Sequence, residues 1–346
     1  MTENLLIEVF PLGMHWPTLD PFLFCAHHDD AYPRGNETMG PQASLAGRAI
    51  GQDFSGKDGW SMYHGSTVPG FPQHPHRGFE TVTVARKGFI DHADSLGASA
   101  RFGEGDLQWM TAGRGVVHSE MFPLRRSDQD NQTELFQIWL NLPARSKMVE
   151  SCFTMFWRHQ IPSLTTKDTN GHETTVHGYC GELPGDGAFE KNRCPAPPPD
   201  SWAADAANNV TIWTIKMAPE AIWTLPATDP ECNRRLFFFS GESVMVSNQT
   251  VPANSGMTLV AGADVDLQNG NSESEFLLLQ GKPIEEPVAQ YGPFVMNTEE
   301  EIRQAFADYQ KTGFGGWPWP DDAPTHPRES SRFASHPNGR QEKQND

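Results

Sequence analysis

The chain has no long apolar run, no Cys-x-x-Cys pair and no excess of positive charge. Each absence removes a class of function. No apolar stretch approaches the eighteen or so residues of a membrane-spanning helix. Residues Met1–Phe10 include acidic side chains and only a very short apolar run, where a secretory leader needs a charged start and an apolar core. A soluble cytoplasmic protein is therefore expected. The five cysteines, Cys25, Cys152, Cys180, Cys194 and Cys232, are odd in number and read as reduced thiols rather than a disulfide framework. A formal net charge of −18 argues against broad nucleic-acid affinity, because phosphate binding needs a basic surface. Between Thr211 and Phe294 there is also no histidine, so a histidine-based metal site in that region has nothing to bind with.

What remains is a chain of 346 residues, enough for two domains of roughly 130 to 150 residues each. The first half is dense in short strand-like runs separated by Gly, Pro and Asp, which predicts an all-β domain. The strand Leu135–Leu142 stops at Pro143, and Ala144–Glu150 reads as an interdomain crossing. Strand signals resume at Val210–Ile215, Arg235–Phe239, Ser243–Val246 and Glu275–Leu279. Gly181–Trp202, with Pro184, Pro195, Pro197, Pro198 and Pro199, reads as a long surface loop. Thr298 and Glu301 form a capping box ahead of Ile302, Ala305, Phe306 and Tyr309 at helical spacing, with Gly313 as the stop. This short C-terminal helix is predicted to pack on a barrel. From Gly315 no periodicity remains, and Pro324–Asp346 is predicted to be mobile. The expected domains are residues 1–143, 144–290, and 291–346 for the helix and tail.

The most informative motif is His74-Pro75-His76, followed about forty residues later by His118-Ser119-Glu120. Residues i and i+2 of a strand project from one face, so each triplet can aim both of its end side chains at one point. The intervening stretch, with turns at Asp94–Gly97 and Gly103–Asp106, suits a small antiparallel barrel whose returning strand places the second dyad opposite the first. Three imidazoles and a carboxylate suit a divalent transition ion better than Mg or Ca, and four protein ligands leave an octahedral ion two open positions. Glu80 shares the parity of His74 and His76 and is an alternative carboxylate, unless Gly78 bends the strand and spoils that parity; otherwise it lines the pocket.

Other candidates have simpler readings. His27 and His28 are neighbours in an extended segment and face opposite ways, so a loop role is expected. His64 and His92 lie near barrel strands and read as ordinary hydrogen-bonded histidines, with lining of the pocket as the alternative for either. The Gly113–Gly115 run reads as the tight turn that delivers His118, and Trp109, Met110 and Met121 as core that could form a wall for a flat substrate. Cys25 has no assignable base for nucleophilic chemistry.

The runs HPHRGFETVTV, GDLQWMTAGRGVVHSEM and EPVAQYGPFVMNT closely resemble the pirin family of the cupin superfamily, and a looser similarity extends from about Leu6 to about Phe314. The resemblance implies a bicupin: two cupin-type antiparallel β-barrels, the first holding iron through His74, His76, His118 and Glu120, the second without metal ligands. It also implies one Fe(2+) per chain, with other divalent transition metals as alternatives, and a quercetin 2,3-dioxygenase-like activity on a flavonol-like substrate with dioxygen. In that reading Glu120, or Glu80, accepts the proton of a substrate hydroxyl. The other implied role is an iron-dependent regulatory protein with an unknown protein partner.

Overall fold

In the computed structural model, residues 4–184 and 193–344 are described. The paired strands are antiparallel and fall into two compact units. The predicted surface loop at Gly181–Trp202 lies partly outside the described residues. Among the described residues no helix is long and apolar enough to cross a membrane.

One unit comprises Met1–Ala26, Ile138–Asn141 and His159–Glu285. Its larger sheet has seven strands in the order Leu6–Pro11, Ser255–Leu259, Asn233–Ser240, Ser274–Gly281, Thr211–Met217, Glu173–Cys180, Ser163–Lys167. Its smaller sheet runs Ile222–Leu225, Val265–Asn269, Ser243–Val246, Gln249–Pro252. Strand alternation sends Ile215, Leu236, Phe238, Phe276 and Leu278 into one core, together with Val244 and Leu267 of the smaller sheet. The first strand follows the same rule: Leu6 is buried in that core, while Ile7 and Val9 are exposed.

The second unit comprises His27–Gln137, Leu142–Arg158 and Glu286–Asp346. A six-stranded sheet runs Gln341–Lys343, Phe333–Ser335, Ser99–Gly103, Phe89–Asp94, Val116–Met121, Gly70–His76. A five-stranded sheet runs Cys152–Phe156, Asp106–Thr111, Phe79–Lys87, Asn131–Asn141, Phe22–Tyr32. Ile90, Phe102 and Val116 from the first sheet join Met110, Leu135, Phe153 and Met155 from the second in one cluster.

The two cupin-like domains are built of open sheets and are not the closed barrels that the sequence suggested. The chain leaves one sheet and enters the other through glycine corners, and two of these flank the histidine strands. Gly78, at φ 85°, separates Gly70–His76 from Phe79–Lys87. A Cβ there would lie 2.0 Å from the Val295 carbonyl oxygen, so only glycine fits. The corner at Gly113–Gly115 does the same between Asp106–Thr111 and Val116–Met121, and the Gly78 N–H donates to the Gly113 carbonyl at 2.9 Å.

The sequence division at 143/144 and 290/291 runs straight along the chain, whereas the units interleave. Leu6–Pro11 pairs with Ser255–Leu259, and Cys152–Phe156 pairs with Asp106–Thr111. The helix spans Glu299–Thr312 with the expected capping box and Gly313 at its C-cap; Ile302 and Ala305 pack with Val117, Phe294 and Phe314. Beyond it the structure departs from the predicted mobility. Phe333–Ser335 adds to the edge of Ser99–Gly103, and Gln341–Lys343 adds to Phe333–Ser335. The buried Arg101 holds Asp91 through two bonds of 2.7 Å and also donates to the carbonyls of His326, Pro327 and Ser330. Arg332 pairs with the buried Asp106 at 2.7 Å.

Candidate metal centre

The two histidine strands lie side by side. His74 is directly opposite His118, and a bulge between Phe71 and His74 leaves Phe71 opposite Glu120. The possible ligand nitrogens of His74, His76 and His118 all lie within 4.8 Å of one another. Their rings sit 4.5 Å apart for His74–His118, 4.8 Å for His74–His76 and 4.9 Å for His76–His118.

The electrostatics suit metal ligation. Burial lowers the pKa of His74 to about 4 and pushes His76 and His118 well below the usual imidazole range, the neighbouring imidazoles adding to the effect. All three rings are therefore neutral near pH 7 and offer lone pairs. His74 Nδ1 lies 2.8 Å from the Pro72 carbonyl oxygen, an acceptor, so Nδ1 carries the proton and Nε2 is left for ligation. His118 is fully buried, and among the described residues neither ring nitrogen has a hydrogen-bond partner. Buried polar groups are seldom left unpaired, and an ion would satisfy the one that faces the cluster.

Glu120 is on the same strand face two residues from His118, but its carboxylate lies outside that cluster of nitrogens. It reaches across to the five-stranded sheet, where Gln137 Nε2 donates to one oxygen at 2.7 Å and the Thr83 hydroxyl lies 3.1 Å from the other. Burial raises its pKa, while His92, Thr83 and Gln137 oppose the rise. Thr83 and Gln137 were not singled out from the sequence; the available signal was polar side chains within two otherwise apolar strands, Thr81 and Thr83 in TVTV and Gln137 in LFQIWL.

Glu80 is elsewhere. Its strand belongs to the five-stranded sheet, its carboxylate accepts from Thr111 at 2.7 Å, and it is fully buried. The Gly78 corner that the parity argument flagged removes it from the histidine face.

His92, set down as ordinary, is opposite Glu120 and its ring lies 5.5 Å from that of His118. His27 and His28 diverge as expected, one toward Glu134 and the other toward the Tyr63 hydroxyl at 2.9 Å, but they do so from the strand Phe22–Tyr32 and not from the expected loop. The latter hydroxyl donates to Asp30 at 2.7 Å, and the Tyr63 ring stacks 5.2 Å from Phe71, whose own ring lies 6.4 Å from that of His74. A run of aromatic side chains thus leads to the histidines. Cys25 is buried with its thiol pushed far up, which leaves no nucleophile there.

The comparisons with known proteins agree with this architecture. The pirin family model matches residues 8–140, and the model of the pirin C-terminal cupin domain matches residues 212–315. A pirin-like protein of Solanum lycopersicum is 38% identical over 254 residues, 72% of this chain and 79% of its own. A pirin-like protein of Caulobacter vibrioides is 35% identical over 281 residues, 79% of this chain and 90% of its own. A Vibrio cholerae protein named "putative quercetin 2,3-dioxygenase" is 35% identical over 254 residues, 71% of this chain and 80% of its own. The fold is shared with a crystal structure of quercetin 2,3-dioxygenase from Acinetobacter baumannii, at a TM-score of 0.68 and 24% identity, covering 90% of this chain and 99% of that one. With both of its cupin-like domains matched by the models of one family, the chain belongs to the pirin family.

Proposed function

We propose that the chain is a mononuclear non-haem iron protein that cleaves quercetin-like flavonols with dioxygen. The observation that carries the reading is the convergence of three neutral imidazoles, His76 and His118 buried and His74 partly so, with both nitrogens of His118 unpaired among the described residues. His74, His76 and His118 would hold the ion, and Glu120 would be the fourth ligand or the acceptor of a substrate proton. This N3O donor set, with no thiolate, suits a divalent transition ion, Fe(II) among them. A bound ferrous ion supplies Lewis acidity toward a substrate oxygen and a redox couple for dioxygen chemistry.

The chain's own residues do the remaining work. Phe71 and Tyr63 give a flat phenolic substrate an aromatic wall beside His74. Thr83 and Gln137 hold the Glu120 carboxylate in one orientation, where an oxygen of Glu120 takes the proton of the flavonol hydroxyl. The heterocycle then opens with incorporation of dioxygen and release of carbon monoxide. The name carried by the Vibrio cholerae relative supports the substrate class.

In the deciding experiment, iron-loaded protein should consume quercetin and oxygen together and release carbon monoxide over many turnovers. Absence of turnover on a panel of flavonols and catechols, with iron verified in the protein, would overturn the activity. Metal analysis should give one tightly held ion per chain, and two would contradict the assignment of a single centre. Glu120→Gln should weaken metal retention by roughly 10- to 100-fold, whereas Glu80→Gln should change it by less than about 3-fold. The reverse order in competition with a chelator would remove Glu120 from the proposal.

A further inference from the structure

The strand Gly70–His76 carries two of the three imidazoles and is the terminal strand of its sheet; Val116–Met121, which carries the third, is its one sheet partner. Its other edge is held at separate points rather than by a second strand ladder, through Gly70 to Met62 and His64, Gln73 to Asp322, and Arg77 to Pro293 and Val295, while ligands must stay within about 0.5 Å of a productive geometry. Its far end is secured by Arg77, the residue after His76. The guanidinium is buried and makes three contacts. Nε donates to the Arg114 carbonyl at 2.6 Å, in the corner that leads into the His118 strand. Nη1 donates to Asp308 of the C-terminal helix at 2.7 Å, and the cation lies 4.5 Å from the centre of the Phe314 ring. Phe314 in turn packs on the backbone of Gly115, where an added Cβ would come within 2.7 Å of the ring. On the other flank of the dyad, Gln73 makes two bonds to Asp322, one through its backbone N–H and one through its side chain.

We infer that Arg77 is a positioning residue of the metal centre: it fixes the separation of the two histidine strands and makes the C-terminal helix part of the frame that holds the ligands. The inference rests on the three-histidine reading of the site and not on the flavonol activity. One side chain meets the end of the first strand, the corner before the second and the helix, so displacement of the helix is transmitted to His76 and His118 together. Coupling of this kind is reciprocal: metal binding stabilises the docked helix by the same free energy that the docked helix contributes to metal binding.

The test uses Co(II) as the probe with the full-length chain. Wild type, Arg77→Lys and Asp308→Asn are titrated for affinity and for the visible ligand-field spectrum of the bound ion, and hydrogen exchange of residues 299–322 is followed with and without Co(II). Lysine keeps the charge but cannot reach the Arg114 carbonyl and Asp308 from one planar fork. The expected result is an affinity loss of roughly 10- to 100-fold for Arg77→Lys and a smaller loss for Asp308→Asn. Both variants should show an altered spectrum, and Co(II)-dependent protection of the helix should be seen in wild type and weakened in both. Asp308 is one-third exposed, so its variant is expected to fold and decides the matter if Arg77→Lys does not. Wild-type affinity and spectrum in either folded variant would overturn the inference. Failure of wild type to bind one Co(II) would overturn the metal centre, and this inference with it.

Discussion

His118→Ala is expected to abolish flavonol turnover and to lower metal affinity by more than the roughly 10- to 100-fold typical of losing a residue that only supports a ligand, while leaving the metal-free protein nearly as stable as wild type. The second half of that expectation comes from the burial pattern. His118 has two buried nitrogens without protein partners among the described residues, and a buried polar group that nothing satisfies costs about 1–3 kcal/mol. Truncation to alanine removes that cost and adds a cavity cost of similar size, so the two largely cancel. With metal present the balance changes. A ligand at 100 times its dissociation constant stabilises the folded state by about 2.7 kcal/mol, and the variant forgoes most of this. Thermal unfolding with and without Fe(II) under anaerobic conditions gives the readout. The melting temperature of wild type should rise with metal and that of the variant should not. A variant with the full metal-dependent rise would mean that His118 is not a ligand.

The second large effect is expected at Arg101, which is none of the proposed ligands. Arg101→Ala should destabilise the protein by about 3–5 kcal/mol, the usual cost of leaving one member of a buried ion pair alone. Asp91 is fully buried and would lose both guanidinium bonds, keeping the backbone N–H of His326. Three carbonyls, of His326, Pro327 and Ser330, would lose a donor at the same time, so the strands Phe333–Ser335 and Gln341–Lys343 should detach from the edge of Ser99–Gly103. Urea unfolding measures the first effect and limited proteolysis of residues 324–344 the second. A change below about 1 kcal/mol with the segment still protected would show that the strand pairing alone secures it.

These residues also mark where the sequence could be read and where it could not. The clustering of His74, His76 and His118 was legible because strand parity is a local rule and the bulged residues of the first strand, between Phe71 and His74, lie outside its triplet. The helix was legible for the same reason, since its cap and stop are contained in Thr298–Gly313. Glu80 shows the limit of parity: the rule holds within a strand, and Gly78 ends one strand and begins another in a different sheet. The order of 324–344 was illegible because it depends on backbone carbonyls. Arg101 and Arg328 bind carbonyl oxygens there, and a carbonyl leaves no trace in the identity of its residue. The interleaving of the two units was hidden by distance along the chain, since no local pattern in Leu6–Pro11 names Ser255–Leu259 as its partner.

That pairing has a consequence for how the protein is made. During translation the strand Leu6–Pro11 precedes its partner Ser255–Leu259 by about 250 residues, an interval of roughly 12–50 s at cellular elongation rates. Until then Leu6, which the completed sheet buries, and an unpaired backbone edge are carried by the nascent chain. In the other unit Ser99–Gly103 likewise precedes its partner Phe333–Ser335 by roughly 230 residues. Each sheet is thus completed long after its first strand is made, so chains truncated before Ser255 should be handed to chaperones or proteases rather than persist as one finished domain.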